Sequence, residues 1–203
     1  MKILDIKKEK KNYIIYLENE EIISNEDTII KYYLRKDMEL DTQKINSIKE
    51  DSIFFENYSL ALNYLSKSIC SKEKMKTYLA KKGIETNLIL KIIDKLVENN
   101  LVNDKYYFSE LINHYINLGY GPYYIKEVGK QNKIDNDIIE SSLSNIDNTL
   151  YENKAYTLIE KSFRNKDKTD KKEINKVKNN LYRRGFSLEL INKEMEKYLN
   201  EDR

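Results

Sequence analysis

The chain carries one histidine, His114, and one cysteine, Cys70, among 203 residues. That scarcity limits the chemistry it can do. A zinc site of the Cys/His kind needs three or four such ligands, and the sequence cannot assemble one. Glu110 and His114 stand four apart, so on a helix they share a face. A metal site in a helical bundle would want Glu-x-x-His and further inward carboxylates. Those are absent, and the pair reads as an imidazole beside a carboxylate. Cys70 has no histidine near it in sequence and reads as a small packed residue. No Gly-x-x-x-x-Gly-Lys-Ser/Thr or Gly-x-Gly-x-x-Gly run occurs, so no phosphate-cradling loop is indicated. Paired carboxylates such as Glu20-Glu21 fall in turns and read as solvated. The residues point to a binding protein without cofactor or metal rather than to an enzyme.

The candidates for binding are cationic and aromatic. Lys81-Lys82, Lys130 with Lys133, and Arg183-Arg184 recur at about 50-residue intervals. Each set ends an amphipathic stretch, where cations suit the negative end of a helix dipole. If the stretches are stacked repeats, the cations form a periodic row suited to a polyanion or a filament groove. Tyr120, Tyr123 and Tyr124 surround Gly121-Pro122, with Lys126 just beyond. Exposed tyrosines anchor interfaces and stack on bases, although 17 tyrosines leave room for packing roles among these three.

Only five Gly and one Pro interrupt the chain, which favours helices over a turn-rich sandwich or barrel. Hydrophobic residues are 40% and charged residues 34%, a composition better suited to several thin cores than to one thick one. Net charge is +2, but it is unevenly spread. Glu18–Glu56 holds eleven acidic and five basic residues, net −6, whereas Glu160–Arg184 holds ten basic and four acidic, net +6. The two regions are thus expected to face different partners or different parts of one. No apolar run reaches the roughly 18 residues of a membrane span, and Met1–Lys8 lacks the apolar core of a signal peptide. A cytoplasmic location is the default expectation.

The elements that must position these residues are legible. Ile3–Ile6, Tyr13–Leu17 and Ile22-Ile23, separated by polar turns, read as a hairpin or three-stranded meander. A near capping box at Ser24–Asp27 opens a first helix. Asp41 or Thr42 can cap a second through Ile48, and another spans Tyr58 to Lys67. The central feature is an internal repeat: Leu79-Ala80-Lys81-Lys82-Gly83-Ile84 matches Leu181-Tyr182-Arg183-Arg184-Gly185-Phe186, with a weaker copy at Gly129–Ile139. Glycine supplies the left-handed residue that closes a helix. The middle copy has Lys133 there, so it is expected to close differently. Thr86, Asn136 and Ser187 are the expected caps of the helices that follow, and Pro122 fits a first turn. The predicted architecture is mainly α. Three tandem three-helix repeats (58–104, 105–148, 149–203) form an elongated curved stack behind an N-terminal β-hairpin or meander with helices (1–57). A monomer is expected, since a stack with polar ends need not self-associate.

These segments resemble the RecX regulatory proteins, which modulate the bacterial RecA recombinase. Val102-Asn103-Asp104-Lys105-Tyr106-Tyr107-Phe108 is similar to the family's segment between its first two repeats. Gly121-Pro122-Tyr123-Tyr124-Ile125-Lys126-Glu127-Val128 resembles its Gly-Pro-x-x-Ile-x-x-Glu-Leu signature, and Arg183-Arg184-Gly185-Phe186-Ser187 its C-terminal element. The hairpin and Lys36–Leu40 resemble the N-terminal extension of low-GC Gram-positive members. There are departures. Ser68-Ile69-Cys70-Ser71 stands where Arg-Pro-Arg-Ser is usual, Lys74 where a Glu is expected, and Tyr123-Tyr124 where arginines are common. The resemblance implies a protein that lies along the groove of a RecA filament, within reach of the DNA it holds, and restrains it. The alternative is a helical module that grips nucleic acid directly, without a recombinase. A third is a scaffold for some other protein.

Overall fold

The computed structural model describes residues 1–200. It is helical apart from a small N-terminal antiparallel sheet, as the sequence predicts. By packing, the chain divides into two units: Met1–Ile69 with Met75–Leu101, and Cys70–Lys74 with Val102 onward.

In the first unit the strands β1 (Ile3–Glu9), β2 (Asn12–Leu17) and β3 (Glu21–Ser24) pair in chain order. Ile6 faces Ile15, and Ile15 faces Ile22. The two-residue period of a strand then sends Ile15, Leu17 and Ile22 inward and leaves Ile23 exposed. Three strands alone make little core; here Leu34, Leu40, Ile45 and Ile48 close over them. Helix α1 (Glu26–Tyr32) is capped by Asn25, whose side-chain oxygen accepts from the Thr28 amide at 3.0 Å. Ser24, expected in that role, is buried instead, its hydroxyl 2.8 Å from that of Ser52.

Helix α2 (Thr42–Leu65) is capped by Asp41, one of the two residues expected to do so, but it runs unbroken for 24 residues where two helices were predicted. The apolar stripe fades in mid-helix because Ser52 sits in the buried seam. Its hydroxyl also lies 2.7 Å from the Ile48 carbonyl, so this polar residue is satisfied in place. No Gly or Pro stands between 42 and 65 to end the helix. Helices α3 (Lys72–Lys81) and α4 (Thr86–Glu98) follow, burying Met75, Leu79, Ile89, Ile92 and Leu96.

The second unit holds α5 (Asp104–Asn117), α6 (Pro122–Gln131), α7 (Asn136–Ser144), α8 (Asn148–Phe163), α9 (Lys171–Arg183) and α10 (Leu188–Asn200). Composition favours thin separate cores, yet these two groups of three helices close over one. Phe108, Ile112, Ile125, Ile139, Ile159, Phe186 and Ile191 belong to a single buried cluster. Tyr151 of α8 lies in it, 3% exposed. Burial pushes its phenol up to about 12, and the hydroxyl has no hydrogen-bond partner. An unsatisfied buried hydroxyl costs about 1–3 kcal/mol. Tyr151→Phe is therefore expected to stabilise the protein by about 1 kcal/mol, read as a higher melting temperature. A lower one would show that the hydroxyl is held.

The repeated turns close alike. Gly83, Lys133 and Gly185 all adopt positive φ, 78°, 53° and 84°. In each, two bonds lock the helix end: Gly83 and Ile84 amides to Ala80 and Leu79 carbonyls, Lys133 and Ile134 to Lys130 and Gly129, Gly185 and Phe186 to Tyr182 and Leu181. This is the Schellman pattern. The expectation that Lys133 forces a different closure does not hold. A lysine pays the left-handed penalty of about 1–2 kcal/mol while two bonds and the buried Ile134 hold the turn. The next helix is capped by Ser187 in the third copy, through the Leu190 amide at 3.2 Å. In the others the cap lies one residue earlier than predicted, at Asp135 and at Glu85, the latter without a side-chain bond.

Candidate partner-binding site

The cations of the three equivalent turns are engaged differently. Lys81 and Lys82, in the first unit, are exposed. Lys81 makes no ion pair among the described residues, and the Lys82 ammonium lies 5.8 Å from the ring centre of Tyr78. Tyr78 itself stacks on Tyr64, with centres 4.2 Å apart.

In the second unit most of the candidates are turned to internal use. Lys126 pairs with Glu140 at 2.5 Å, and that bond is the main reason its ammonium is held above the usual lysine range. Lys130 pairs with Glu127 at 2.7 Å and Lys133 with Glu73 at 2.6 Å. Each of these six side chains is at least 30% exposed, so each pair contributes no more than about 1 kcal/mol. Such pairs can be exchanged for a partner's carboxylates at little cost.

Arg184 is engaged more deeply. Its guanidinium donates to the carbonyls of Leu118 at 3.2 Å and Gly119 at 3.3 Å. It also donates to Asn180 at 3.0 Å and lies 5.4 Å from the Tyr120 ring centre. Leu118 and Gly119 end α5, where carbonyls lack helical partners and the dipole is negative. Arg184 thus caps a helix of the preceding repeat. Around it the chains touch. The Gly121 amide donates to the Arg184 carbonyl at 2.8 Å, and the Tyr123 amide to that of Gly185 at 3.1 Å. A Cβ on Gly121 would stand 2.4 Å from the Gly185 oxygen, and one on Gly185 would stand 2.3 Å from the Tyr124 nitrogen. The Gly-Pro and Arg-Arg-Gly-Phe-Ser segments, read separately in the sequence, are the two halves of one joint.

The tyrosines divide along the same line. Tyr124 is half-buried and stacks on Tyr120 with centres 4.1 Å apart, beside Tyr115 at 5.5 Å. Burial raises its phenol above the ordinary range. Tyr123 is 61% exposed. Arg183 is also exposed and shares a shallow hollow on α9 with Lys176, Asn179 and Tyr182. Of the nine candidates, Lys81, Lys82, Tyr123 and Arg183 are the ones turned outward without an ion pair. Sequence reasoning missed Glu73 and the Leu118 and Gly119 carbonyls as internal partners. No local signal marks them, because they stand 60 or more positions from the cations they engage.

A family description reading "RecX, third three-helix domain" matches residues 151–195, which are α9 and most of α8 and α10. Over 195 residues the chain is 34% identical to Regulatory protein RecX of Streptococcus uberis, covering 94% of this chain and 74% of that one. It is 36% identical to the protein of the same name from Lactococcus lactis subsp. lactis, covering 92% and 72%. This chain belongs to the RecX family. Solved structures agree on the fold. "Crystal structure of RecX from Lactobacillus salivarius" is 29% identical with a TM-score of 0.67, covering 71% of this chain and 96% of that one. "Crystal structure of regulatory protein RecX" is 24% identical with a TM-score of 0.83, covering 97% and 100%. The RecX relatives are named regulatory proteins, and a regulatory role follows for this member. Among the described residues, no helix is long and apolar enough to cross a membrane.

Proposed function

We propose that this chain binds the RecA recombinase filament along its groove and lowers its ATPase and strand-exchange activity in DNA repair and recombination. It would act in the cytoplasm as a monomer and make or break no bond itself. The observation that carries this reading is membership of a regulatory family across nearly the whole chain. The outward cations at equivalent turns, Lys81-Lys82 and Arg183, supply groups that could meet carboxylates or phosphates on a filament. A protein that binds one filament state better than another shifts the filament toward that state. Bridging neighbouring subunits would disfavour the rearrangements that ATP turnover requires.

The test is the ATPase rate of the host's recombinase on single-stranded DNA, titrated with this protein well below one copy per recombinase subunit. A fall in rate is the expected result. An unchanged rate together with tight, salt-sensitive binding to bare DNA would replace this reading with a direct nucleic-acid module. No effect in either assay would leave a scaffold for another protein.

A further inference from the structure

Two hollows in the second unit differ in how their polar groups are engaged. The larger, about 490 Å³, is walled by Lys126 with Glu140 and Lys193 with Glu152, and both pairs close on themselves. The other, about 440 Å³, lies between α5 and the end of α7. Asn103 and Ser109 of its lining bond within the first turns of α5, but its other polar groups are open. The side-chain amides of Asn113 and Asn145 make no hydrogen bond to any described residue, and both side chains are exposed. The Ser142 hydroxyl is buried without a partner, although a helical serine ordinarily bonds back to its own helix. Tyr106 stands 55% exposed at the rim with no described ring against its face. Lys105 makes no ion pair among the described residues, and no carboxylate lines the hollow.

We propose that this hollow is a binding site for a base of single-stranded nucleic acid. A carboxamide offers a donor and an acceptor side by side, the pattern that matches the edge of a base. Single-stranded bases are recognised by such edge contacts combined with stacking on an exposed aromatic face, which Tyr106 provides. The single net charge is positive, from Lys105, and suits the adjoining phosphate. A peptide side chain fits less well, because a charged one would find no opposite carboxylate and an aliphatic one would leave the amides and the hydroxyl unmatched. The site shares no residue with the nine cationic and aromatic candidates and does not depend on the recombinase reading.

The test compares a labelled 20-nucleotide single strand with an abasic strand of equal length, using the full chain and fluorescence anisotropy. The abasic strand keeps every phosphate and lacks the bases. The base-bearing strand is expected to bind about tenfold more tightly, the scale of stacking on one aromatic residue. Tyr106→Ala should erase that preference and leave abasic affinity unchanged. Lys105→Ala should weaken both strands and lower the salt slope by about one. Both positions are exposed, and circular dichroism checks that the fold is kept. Equal affinity for the two strands, a preference that survives Tyr106→Ala, or no binding of either strand would overturn the proposal.

Discussion

Gly185→Ala is expected to cost about 2–5 kcal/mol, at least twice the cost of the same change at Gly83. The two glycines have nearly the same backbone, φ 84° and 78°, so both variants incur the left-handed penalty of about 1–2 kcal/mol. Their surroundings separate them. A Cβ on Gly83 meets nothing within 4 Å, whereas one on Gly185 meets the Tyr124 nitrogen at 2.3 Å, its Cβ at 2.7 Å and its Cα at 2.9 Å. Two of those atoms are backbone, so relief requires the turn to back away from α6. That withdrawal would strain the Gly121 and Tyr123 hydrogen bonds and loosen Phe186, which is 1% exposed in the shared core. Overpacking of this kind adds about 1–3 kcal/mol. Urea midpoints by far-ultraviolet circular dichroism compare the variants. Hydrogen exchange at Phe186 and Ile191 localises the loss to the second unit. Equal destabilisation of Gly83→Ala and Gly185→Ala would mean that the joint yields at no cost.

This contrast also marks what the sequence reveals. Features set within ten residues were legible: the strand-forming run Tyr13–Leu17, a helix start at Asp41 or Thr42, the Ser187 cap, the Pro122 start and the glycine closures of the repeats. Features set by tertiary context were not. Ser52 interrupts the stripe of α2 because it answers Ser24, 28 positions away. Lys133 looks unfit for its turn because the bonds and burial that hold it there are invisible to local propensity. Among the site candidates, periodicity correctly grouped the cations at equivalent turns. It could not say that Arg184 reaches carbonyls 65 and 66 positions back while Arg183, one residue away, faces out. On a helix, neighbouring residues point about 100° apart, so a basic pair ordinarily has two fates.

Those two fates make Arg183→Glu and Arg184→Glu a decisive comparison. Arg183→Glu should leave the melting temperature nearly unchanged, because surface substitutions away from packed features shift stability by no more than about 0.5 kcal/mol. If α9 presents this residue to a filament, the reversed charge should weaken filament binding about tenfold, or about 1.4 kcal/mol, and lessen the effect on ATPase in proportion. Arg184→Glu should behave oppositely. It removes charged donors from two carbonyls and sets a carboxylate against a helix C-terminus, together about 2–4 kcal/mol. Its binding defect should therefore follow unfolding. Arg184→Lys distinguishes position from charge. It keeps the cation but loses the planar fork that reaches Leu118, Gly119 and Asn180 together, so it should recover part of the stability and none of the stacking on Tyr120. Normal filament affinity in Arg183→Glu would remove α9 from the binding face. The outward cations that then remained, Lys81 and Lys82, lie in the other unit, and binding would have to be sought there.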